Sequence, residues 1–354
     1  MGKEVSAITW DKLASRAEKV AQVIRDKSGL YRGDRVALLY RDHEVIDFVV
    51  ALLGCFLAGV VAVPINTVTK FKDLNYILNY TQSHLALSTD ANLKAFHREF
   101  TAQGQSWPRG VEWWKTNDFG SYHPPSKKSE PPALQVPDLA YIEYSRAPTG
   151  EFRGVVISHK TVMHQMSCLS SILSSKDKER RRSSGAGPAT RDGGRLMGPA
   201  TKYQTVISYL DPRQSIGMIL GVLMTIYSGN TTVWIPQSTL AVPGLYANII
   251  SRFKPSIILG DYPGLKQVAY NYQSFPLATR NFSKKQPVDF SSIRWCLIDC
   301  LTVDTEFHEI LADRWLRPLG NKMSREVIAP MLTLSEHGGM VISMRDWLGG
   351  QESL

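Results

Sequence analysis

Residues able to bind a phosphate follow a short apolar run near the middle of the chain. The run at 139–144 predicts a buried strand, and the polar loop 145–154 carries hydroxyl groups, glycines and arginines. Glycines let a backbone approach a ligand closely, hydroxyl and N–H groups donate to phosphate oxygens, and arginine adds positive charge. From the spacing alone, an ordinary hairpin loop remains the simpler alternative. The candidate phosphate-binding residues are Ser145, Thr149, Gly150, Arg153 and Gly154.

Polar or glycine residues also end several other predicted strands. In open α/β sheets, ligands bind beyond the carboxyl ends of the strands, so we expect these loops to converge on one cleft. Glu336 is the clearest single candidate, because a carboxylate at a strand end followed by Gly-Gly has no evident packing role. The loops in question begin at Ser145, Asp211, Gly260, Asp299 and Thr333.

The elements that must position these residues alternate between strand and helix along most of the chain. This βαβ rhythm predicts an α/β fold of two doubly wound, largely parallel sheets flanked by helices. We expect two interleaved subdomains, at approximately 1–203 and 204–354. The predicted strands are 35–40, 60–63, 85–88, 139–144, 155–158, 205–209, 231–235, 256–259, 293–298 and 327–332. The predicted helices are 9–27, 44–58, 71–80, 159–174, 216–227, 240–253, 262–270 and 305–315.

Two stretches depart from this rhythm. Residues 104–137 mix prolines, glycines and tryptophans, which predicts an irregular connector. Its tryptophans mark either a ligand or partner patch, or anchors that pack the loop on the core. Residues 176–202 contain few apolar and many Gly, Ser and Arg residues, which predicts a flexible basic insertion.

Composition limits the class of protein. With 354 residues, 43% of them hydrophobic and 21% charged, the chain is long enough for one large core or two moderate ones. The net charge of +9 suggests nucleic acid or an anionic membrane, but much of it comes from the basic insertion. No aromatic residues interleave with its arginines, so we expect no specific nucleic-acid partner. The four cysteines form no CxxC pair, which favours reduced thiols and a cytoplasmic location.

One apolar run approaches the length of a membrane span. Residues 48–65 are almost continuously apolar, but two glycines interrupt them and Val-Val-Ala-Val-Pro is typical of a separate buried strand. The sequence therefore predicts a helix followed by a strand and no transmembrane segment.

The order of segments resembles the amino-terminal part of the adenylate-forming superfamily, which includes acyl-CoA synthetases, fatty acyl-AMP ligases and peptide-synthetase adenylation domains. The matching segments are RGDRVALLY, DFVVALLGCFLAGVVAVPI, SYLDPRQSIGMILGVLMTIYSGNTTVWIP and VDFSSIRWCLIDC. The loop YIEYSRAPTGEFRGVVISHK most resembles fungal peptide-synthetase-like members of the disco-interacting protein family. The resemblance implies an ancestral reaction in which ATP and a fatty acid give an acyl-adenylate and pyrophosphate. It also implies a link to lipid metabolism.

The same resemblance implies roles for individual residues. It implies ATP or AMP and Mg²⁺ as cofactors, a fatty acid or other carboxylate as substrate, and further domains of a larger parent as partners. Glu336 corresponds to the carboxylate that holds Mg²⁺ beside the triphosphate. The implied nucleotide-binding set is Ser145, Thr149, Gly150, Arg153, Gly154, Asp299, Cys300 and Thr333, and the implied acyl-pocket set is Gln214, Gly217, Gly221 and Gly260.

The motifs also depart from the family pattern. Pro148 removes a backbone donor from the phosphate loop, and a Gln-Ser pair at 214–215 replaces the family's His-Asp pair. The adenine-side run Asn-Gly-Ala-Glu is Ile-Asp-Cys-Leu at 298–301, and of Tyr-Gly-x-x-Glu only Glu336 remains. The family's C-terminal lobe and its catalytic lysine would lie beyond Leu354, so that lobe is expected to be absent and no catalytic residue is assigned.

Three hypotheses follow. The first is a fatty acyl-AMP ligase-like enzyme with weak or no activity in this chain. The second is a non-catalytic acyl- or nucleotide-binding or interaction module in lipid metabolism. The third is a basic surface module that binds acidic membranes or nucleic acid through residues 176–202.

Overall fold

The computed structural model describes residues 6–65, 71–123, 136–146, 151–183, 204–282 and 287–343. Its contacts divide into two compact units. Of the described residues, those within 6–162 and 211–215 form the first unit, and those within 163–210 and 216–343 form the second. The predicted boundary near residue 203 stays a prediction.

The first unit is built on a six-stranded sheet of order β4-β3-β1-β2-β5-β6. Every pair is parallel except β5 and β6, which form an antiparallel hairpin. The strands are β1 (Arg35–Leu39), β2 (Val61–Ile65), β3 (Leu85–Ser88), β4 (Glu112–Lys115), β5 (Leu139–Arg146) and β6 (Phe152–Ser158). The helices are α1 (Trp10–Lys27), α2 (Val45–Ala58), α3 (Phe71–Thr81) and α4 (Asp90–Ala102). Helix α5 (His159–Ser183) follows β6, and from Met163 onward it belongs to the second unit.

Helix α1 illustrates how the sequence pattern determines packing in this unit. Leu13, Ala17, Val20 and Ile24 recur at helical spacing and all four are buried, as the pattern predicts. Helix α2 is apolar on most faces because it lies in the interior, where Phe48 and Leu52 are fully buried. The apolar run 48–65 thus divides between α2 and β2. Among the described residues, no helix combines the length and the apolarity needed to cross a bilayer.

The second unit is built on another six-stranded sheet, of order β12-β11-β10-β9-β7-β8, in which only the edge pair β11/β12 is antiparallel. The strands are β7 (Thr205–Ser208), β8 (Thr231–Trp234), β9 (Ile257–Asp261), β10 (Trp295–Asp299), β11 (Ile328–Leu334) and β12 (Gly339–Ser343). The helices are α6 (Ser215–Met218), α7 (Thr225–Ser228), α8 (Leu245–Phe253), α9 (Tyr262–Ser274), α10 (Pro276–Arg280) and α11 (Thr305–Leu311). The π-helical segments Ile219–Met224 and Ala312–Leu316 join α6 to α7 and continue α11.

The predicted fold class is confirmed, because both sheets are mainly parallel and flanked by helices. Several boundaries were wrong. Strand pairing extends to Ser145↔Arg153 and Arg146↔Phe152, so the predicted loop 145–154 is shorter. The irregular connector contains β4, because its residues pair in parallel register with β3.

The predicted end of α5 near residue 174 was also wrong. The helix continues to Ser183, because Lys, Glu and Arg are good helix formers even where no apolar face is present. The rest of the basic insertion, 184–202, lies outside the described residues.

Two of the connector tryptophans pack on the first unit's core rather than forming an isolated patch. The rings of Trp107 and Trp113 lie 4.8 Å apart, and both contact a buried cluster that includes Phe96 and Phe100. All four cysteines are free thiols, and two of them, Cys55 and Cys296, are buried.

The close packing of α1 against α2 gives a prediction for Gly54. A Cβ at Gly54 would lie 2.6 Å from Val20 Cβ, so Gly54→Ala overpacks this contact. We expect a net loss of about 1–2 kcal/mol in the free energy of unfolding, because overpacking costs more than the gain in helix propensity. Urea denaturation followed by circular dichroism measures this loss.

The matched control is Gly120→Ala in the 3₁₀ turn Thr116–Ser121. A Cβ there meets no atom within 4 Å, so we expect a change of less than about 0.5 kcal/mol. Equal stability of the two variants would contradict the close packing of α1 on α2.

Candidate functional site

The carboxyl edge of the second unit's sheet brings polar residues of three neighbouring strands together. Asp299 at the end of β10 is the register partner of Asp261 at the end of β9. On its other side, Thr333 Oγ1 of β11 donates a 2.5 Å hydrogen bond to Asp299 Oδ1. Parallel pairing places Asp261 beside Asp299, and the hydrogen bond adds Thr333, which lies two residues beyond Met331, the register partner of Asp299. The three residues form a polar row, and the sequence assigned two of them, Asp299 and Thr333, to nucleotide binding.

Asp299 has an unusual electrostatic environment for a carboxylate. Partial burial raises its pKa above the ordinary 3.8, the hydrogen bond from Thr333 lowers it, and the negative charge of Asp261 raises it, with a net increase. Asp299 is therefore more easily protonated than a surface aspartate. When ionised, it adds negative charge to this edge of the sheet.

Gly260 has a structural reason to be glycine. A Cβ there would lie 2.8 Å from Tyr209 Cζ, and a Cβ at Gly264 would lie 2.5 Å from the Tyr209 hydroxyl. Tyr209 donates to the Asp261 carbonyl oxygen at 3.0 Å and accepts from the Asp261 N–H at 2.9 Å. The Tyr209 ring thus occupies the space at Gly260, and the acyl-pocket role of Gly260 stays a prediction.

Cys300 belongs to a hydrogen-bonded group that the sequence analysis missed. Its thiol bonds to the Tyr262 hydroxyl, which lies 2.8 Å from His308 Nε2 and accepts from the Asp304 N–H at 3.0 Å. Burial lowers the pKa of His308 and raises that of Cys300, so the imidazole is neutral and the thiol protonated at neutral pH. Tyr262 and His308 lie 46 positions apart, and no sequence spacing signals their contact.

Gly217 and Gly221 lie in or beside the irregular helix after β7. Both are buried, and Gly221 falls within the π-helical segment Ile219–Met224. Thr225 Oγ1 lies 2.5 Å from Thr232 Oγ1 on β8 and 3.4 Å from the Leu220 carbonyl oxygen. π-Helical turns are common at functional sites, and the acyl-pocket role of Gly217 and Gly221 stays a prediction.

Glu336 lies at the tip of the hairpin between β11 and β12. The 3₁₀ turn Ser335–His337 holds it, and both Glu336 and His337 are exposed. Gly338 and Gly339 follow with φ values of +74° and +140°, which only glycine adopts easily, so the Gly-Gly pair makes the turn possible.

The candidate phosphate-binding residues lie in the first unit. Ser145 is half-buried on β5, whereas Arg153 and Gly154 are exposed on β6. Arg153 pairs with Glu151 at 3.1 Å, and a Cβ at Gly154 would lie 2.9 Å from the ring of Tyr144. Thr149 and Gly150 lie outside the described residues.

The segment 211–215, which also belongs to the first unit, contains a buried cation that the sequence analysis missed. The Arg213 side chain is only 5% exposed. Its Nη2 donates to Asp42 Oδ1 at 2.6 Å, its Nε to Asp211 Oδ1 at 2.8 Å, and its Nη1 to the Tyr40 carbonyl oxygen at 2.6 Å. These bonds fix the loop that carries Gln214 onto the end of β1.

The backbone of the same segment is held from a second side. The Ser215 N–H donates to Glu143 Oε2 at 2.7 Å, and Glu143 is a buried carboxylate on β5. Ser215 has a φ of +48°, an uncommon conformation for a residue other than glycine. Gln214 is half-buried between these two anchors.

The predicted site residues are therefore distributed over both units. Asp299, Cys300, Thr333 and Glu336 share the carboxyl edge of the second unit's sheet, as do Gly260 and the start of α9. Ser145, Arg153, Gly154 and Gln214 belong to the first unit. That all of them line one cleft stays a prediction.

Comparison with known proteins gives relatives along the whole chain. It is 58% identical over 351 residues to an uncharacterised protein of Schizosaccharomyces pombe, covering 99% of this chain and 23% of that protein. It is 36% identical over 361 residues to the "Homeostatic regulator of DAG" of Saccharomyces cerevisiae, covering 99% of this chain and 22% of that protein. It is 24% identical over 278 residues to Disco-interacting protein 2 of Drosophila melanogaster, covering 73% of this chain and 14% of that protein. The chain thus spans less than a quarter of the length of these relatives.

Solved structures share the fold. The fatty acyl-adenylate ligase of L. pneumophila, solved in complex with acyl adenylate and pyrophosphate, superposes with a TM-score of 0.68 at 21% identity. The match covers 97% of this chain and 53% of that one. The predicted resemblance to the amino-terminal part of adenylate-forming enzymes is confirmed at the level of the fold.

The sequence model of the AMP-binding enzyme family matches residues 2–349, nearly the entire chain. Together with the order of strands and the polar row at their carboxyl ends, this match shows that the chain belongs to the AMP-binding enzyme family.

Proposed function

We propose that the chain binds an acyl-adenylate, or AMP and a fatty acid, at the carboxyl edge of the second unit's sheet, and that it adenylates slowly if at all. One observation carries this proposal: Thr333 bonds to Asp299 across adjacent strand ends, and Glu336 is exposed on the turn directly beyond β11. In open α/β sheets this edge is where ligands bind.

Similarity supports the nature of the ligand. The chain belongs to the AMP-binding enzyme family, and a structural neighbour holds acyl adenylate and pyrophosphate. A 36% identical relative is named a homeostatic regulator of DAG, which supports a role in lipid metabolism. The same family membership supports a carboxylate substrate.

The surroundings of Glu336 fit a magnesium ion bound together with a nucleotide. Within the described ranges, no three His, Cys, Asp or Glu side chains are close enough to form a metal site of their own. Mg²⁺ usually takes one or two protein carboxylates and completes its shell with water and phosphate oxygens. The exposed carboxylate of Glu336 provides such a ligand, and the bound ion would neutralise phosphate charge.

Charge is the argument for slow turnover. Asp299 replaces a glycine of the related motif, and its ionised carboxylate repels the phosphates of a nucleotide. Pro148 provides no N–H in the proposed phosphate loop, and Arg153, the arginine assigned to phosphate binding, pairs with Glu151. Each change weakens the stabilisation of transferring phosphate charge, on which adenylation depends.

A non-catalytic module that senses nucleotide or acyl ligands, or interacts with a partner, is the second candidate. The observation that favours it is the same carboxylate pair, Asp261 and Asp299, because an anionic edge retains a neutral or singly charged ligand better than a triphosphate. Acyl-adenylate carries fewer negative charges than ATP and is therefore the ligand common to both candidates.

The role of Glu336 is tested by removing its charge. We expect Glu336→Gln to weaken binding of ATP in the presence of Mg²⁺ about tenfold, or about 1.4 kcal/mol, because the ion loses its protein ligand. Binding measured without Mg²⁺ should not weaken, because the substitution also removes a negative charge that repels the phosphates. Isothermal titration calorimetry with and without Mg²⁺ measures both.

The matched control is Glu306→Gln, which removes another exposed carboxylate, in the first turn of α11. This variant should bind ATP as the parent chain does, with and without Mg²⁺. Absence of nucleotide binding in the parent chain at millimolar ATP, AMP and acyl-adenylate analogue would refute the nucleotide site.

The charge of Asp299 gives a pH-dependent prediction. Asp299→Asn keeps an oxygen that accepts from Thr333 but removes the negative charge, so we expect roughly 5- to 10-fold tighter AMP binding at neutral pH. The advantage should shrink as pH falls through the raised pKa of Asp299, because the parent carboxyl then becomes neutral too. Titrations at a series of pH values measure the ratio. A ratio independent of pH would show that the ionised carboxylate does not face the ligand.

Turnover separates the two candidates. We expect ATP–pyrophosphate exchange with a fatty acid to stay near background, whereas a non-hydrolysable acyl-adenylate analogue binds with micromolar affinity. Exchange at rates of about 1 s⁻¹ or more, as is ordinary for enzymes, would support the catalytic candidate instead.

A further inference from the structure

A buried glutamine contacts the hairpin that carries Glu336. Gln165 on α5 is 1% exposed. Its Nε2 donates to the Met340 carbonyl oxygen at 3.0 Å, and its Oε1 accepts from the Met340 N–H at 3.1 Å. The side-chain amide therefore pairs with the backbone of β12, the outermost strand of the sheet, as a neighbouring strand would.

The close approach of Gln165 depends on Gly339. A Cβ at Gly339 would lie 3.0 Å from Gln165 Oε1 and 3.4 Å from Ile219 Cγ2, and its φ of +140° strains any other residue. The second glycine of the Gly-Gly pair thus lets α5 reach the hairpin.

The opposite strand of the hairpin is held separately. Thr333 is the register partner of Met340 across β11 and β12, and Thr333 bonds to Asp299 on β10. A continuous series of contacts therefore joins Gln165, Met340, Thr333 and Asp299. The hairpin is fixed on both sides, and the exposed turn with Glu336 projects from its tip.

We infer that Gln165 is a positioning residue for Glu336: it holds the hairpin so that the carboxylate meets a nucleotide-bound divalent cation. Gln165 itself touches neither ligand nor ion. A carboxylate on a fixed turn is already oriented for the ion, whereas on a loosened turn it loses conformational freedom on binding. The inference rests on the proposed function and adds the element that organises its metal ligand.

The test compares two buried amides. Gln165→Leu removes both bonds to Met340. Asn321→Leu is the matched control, because Asn321 is also buried and donates from Nδ2 to the Phe290 and Ile293 carbonyl oxygens, in a different part of the same unit. Gln165→Glu is a milder variant that keeps an acceptor for the Met340 N–H.

The readout is the ratio of the Kd for ATP without Mg²⁺ to the Kd with Mg²⁺, measured by calorimetry on folded protein. We expect this ratio to fall about tenfold in Gln165→Leu, the usual effect of losing a residue that orients a metal ligand. It should fall less in Gln165→Glu and not change in Asn321→Leu. Hydrogen exchange of the Met340 amide should accelerate only in the Gln165 variants.

Two outcomes would overturn the inference. One is that Gln165→Leu keeps the Kd ratio of the parent chain even though the Met340 amide exchanges faster. The other is an equal loss in Asn321→Leu, which would attribute the effect to general destabilisation. If the parent chain shows no Mg²⁺-dependent binding, the proposed function fails as well, and the exchange data still report whether Gln165 holds the hairpin.

Discussion

Parallel pairing of β9, β10 and β11 is the constraint on which the candidate site depends. Parallel strands end at the same edge, so residues far apart in the chain become neighbours: Asp261, Asp299 and Thr333 lie in one row. The strands behind them are buried on both faces, so a shift by one residue would move every side chain to the opposite packed face and disrupt the core on both sides. The polar row is thus a consequence of the core beneath it.

The candidate site carries negative charge, whereas a phosphate-binding site favours positive charge. Two carboxylates occupy adjacent strand ends, and burial together with their proximity raises the pKa of Asp299. In the first unit, by contrast, a buried arginine is surrounded by two aspartates and a carbonyl oxygen. Arg213 is saturated by protein acceptors and serves to anchor the loop. Neither arrangement attracts a triphosphate strongly. The two carboxylates repel it, and Arg213 is already bound by protein acceptors.

Glycines divide into two classes here. Gly54, Gly260 and Gly264 are required because neighbouring side chains already occupy the position of a Cβ. Gly338 and Gly339 are required by their backbone conformation at the turn after β11. The sequence correctly places glycines near strand ends. It does not distinguish a glycine that makes room for the Tyr209 ring from one that makes room for a ligand, because glycine meets both requirements.

The sequence by itself determined the alternation of strands and helices, the largely parallel sheets and the position of Asp299 and Thr333 near strand ends, because hydrophobic periodicity and turn residues act locally. It missed α4, β12 and the edge strand β4, whose short or mixed patterns gain stability only from neighbours. Only the tertiary structure decided which distant side chains meet. Gln165 and Met340 are 175 positions apart, and Tyr262 and His308 are 46 apart, so packing alone brings them into contact.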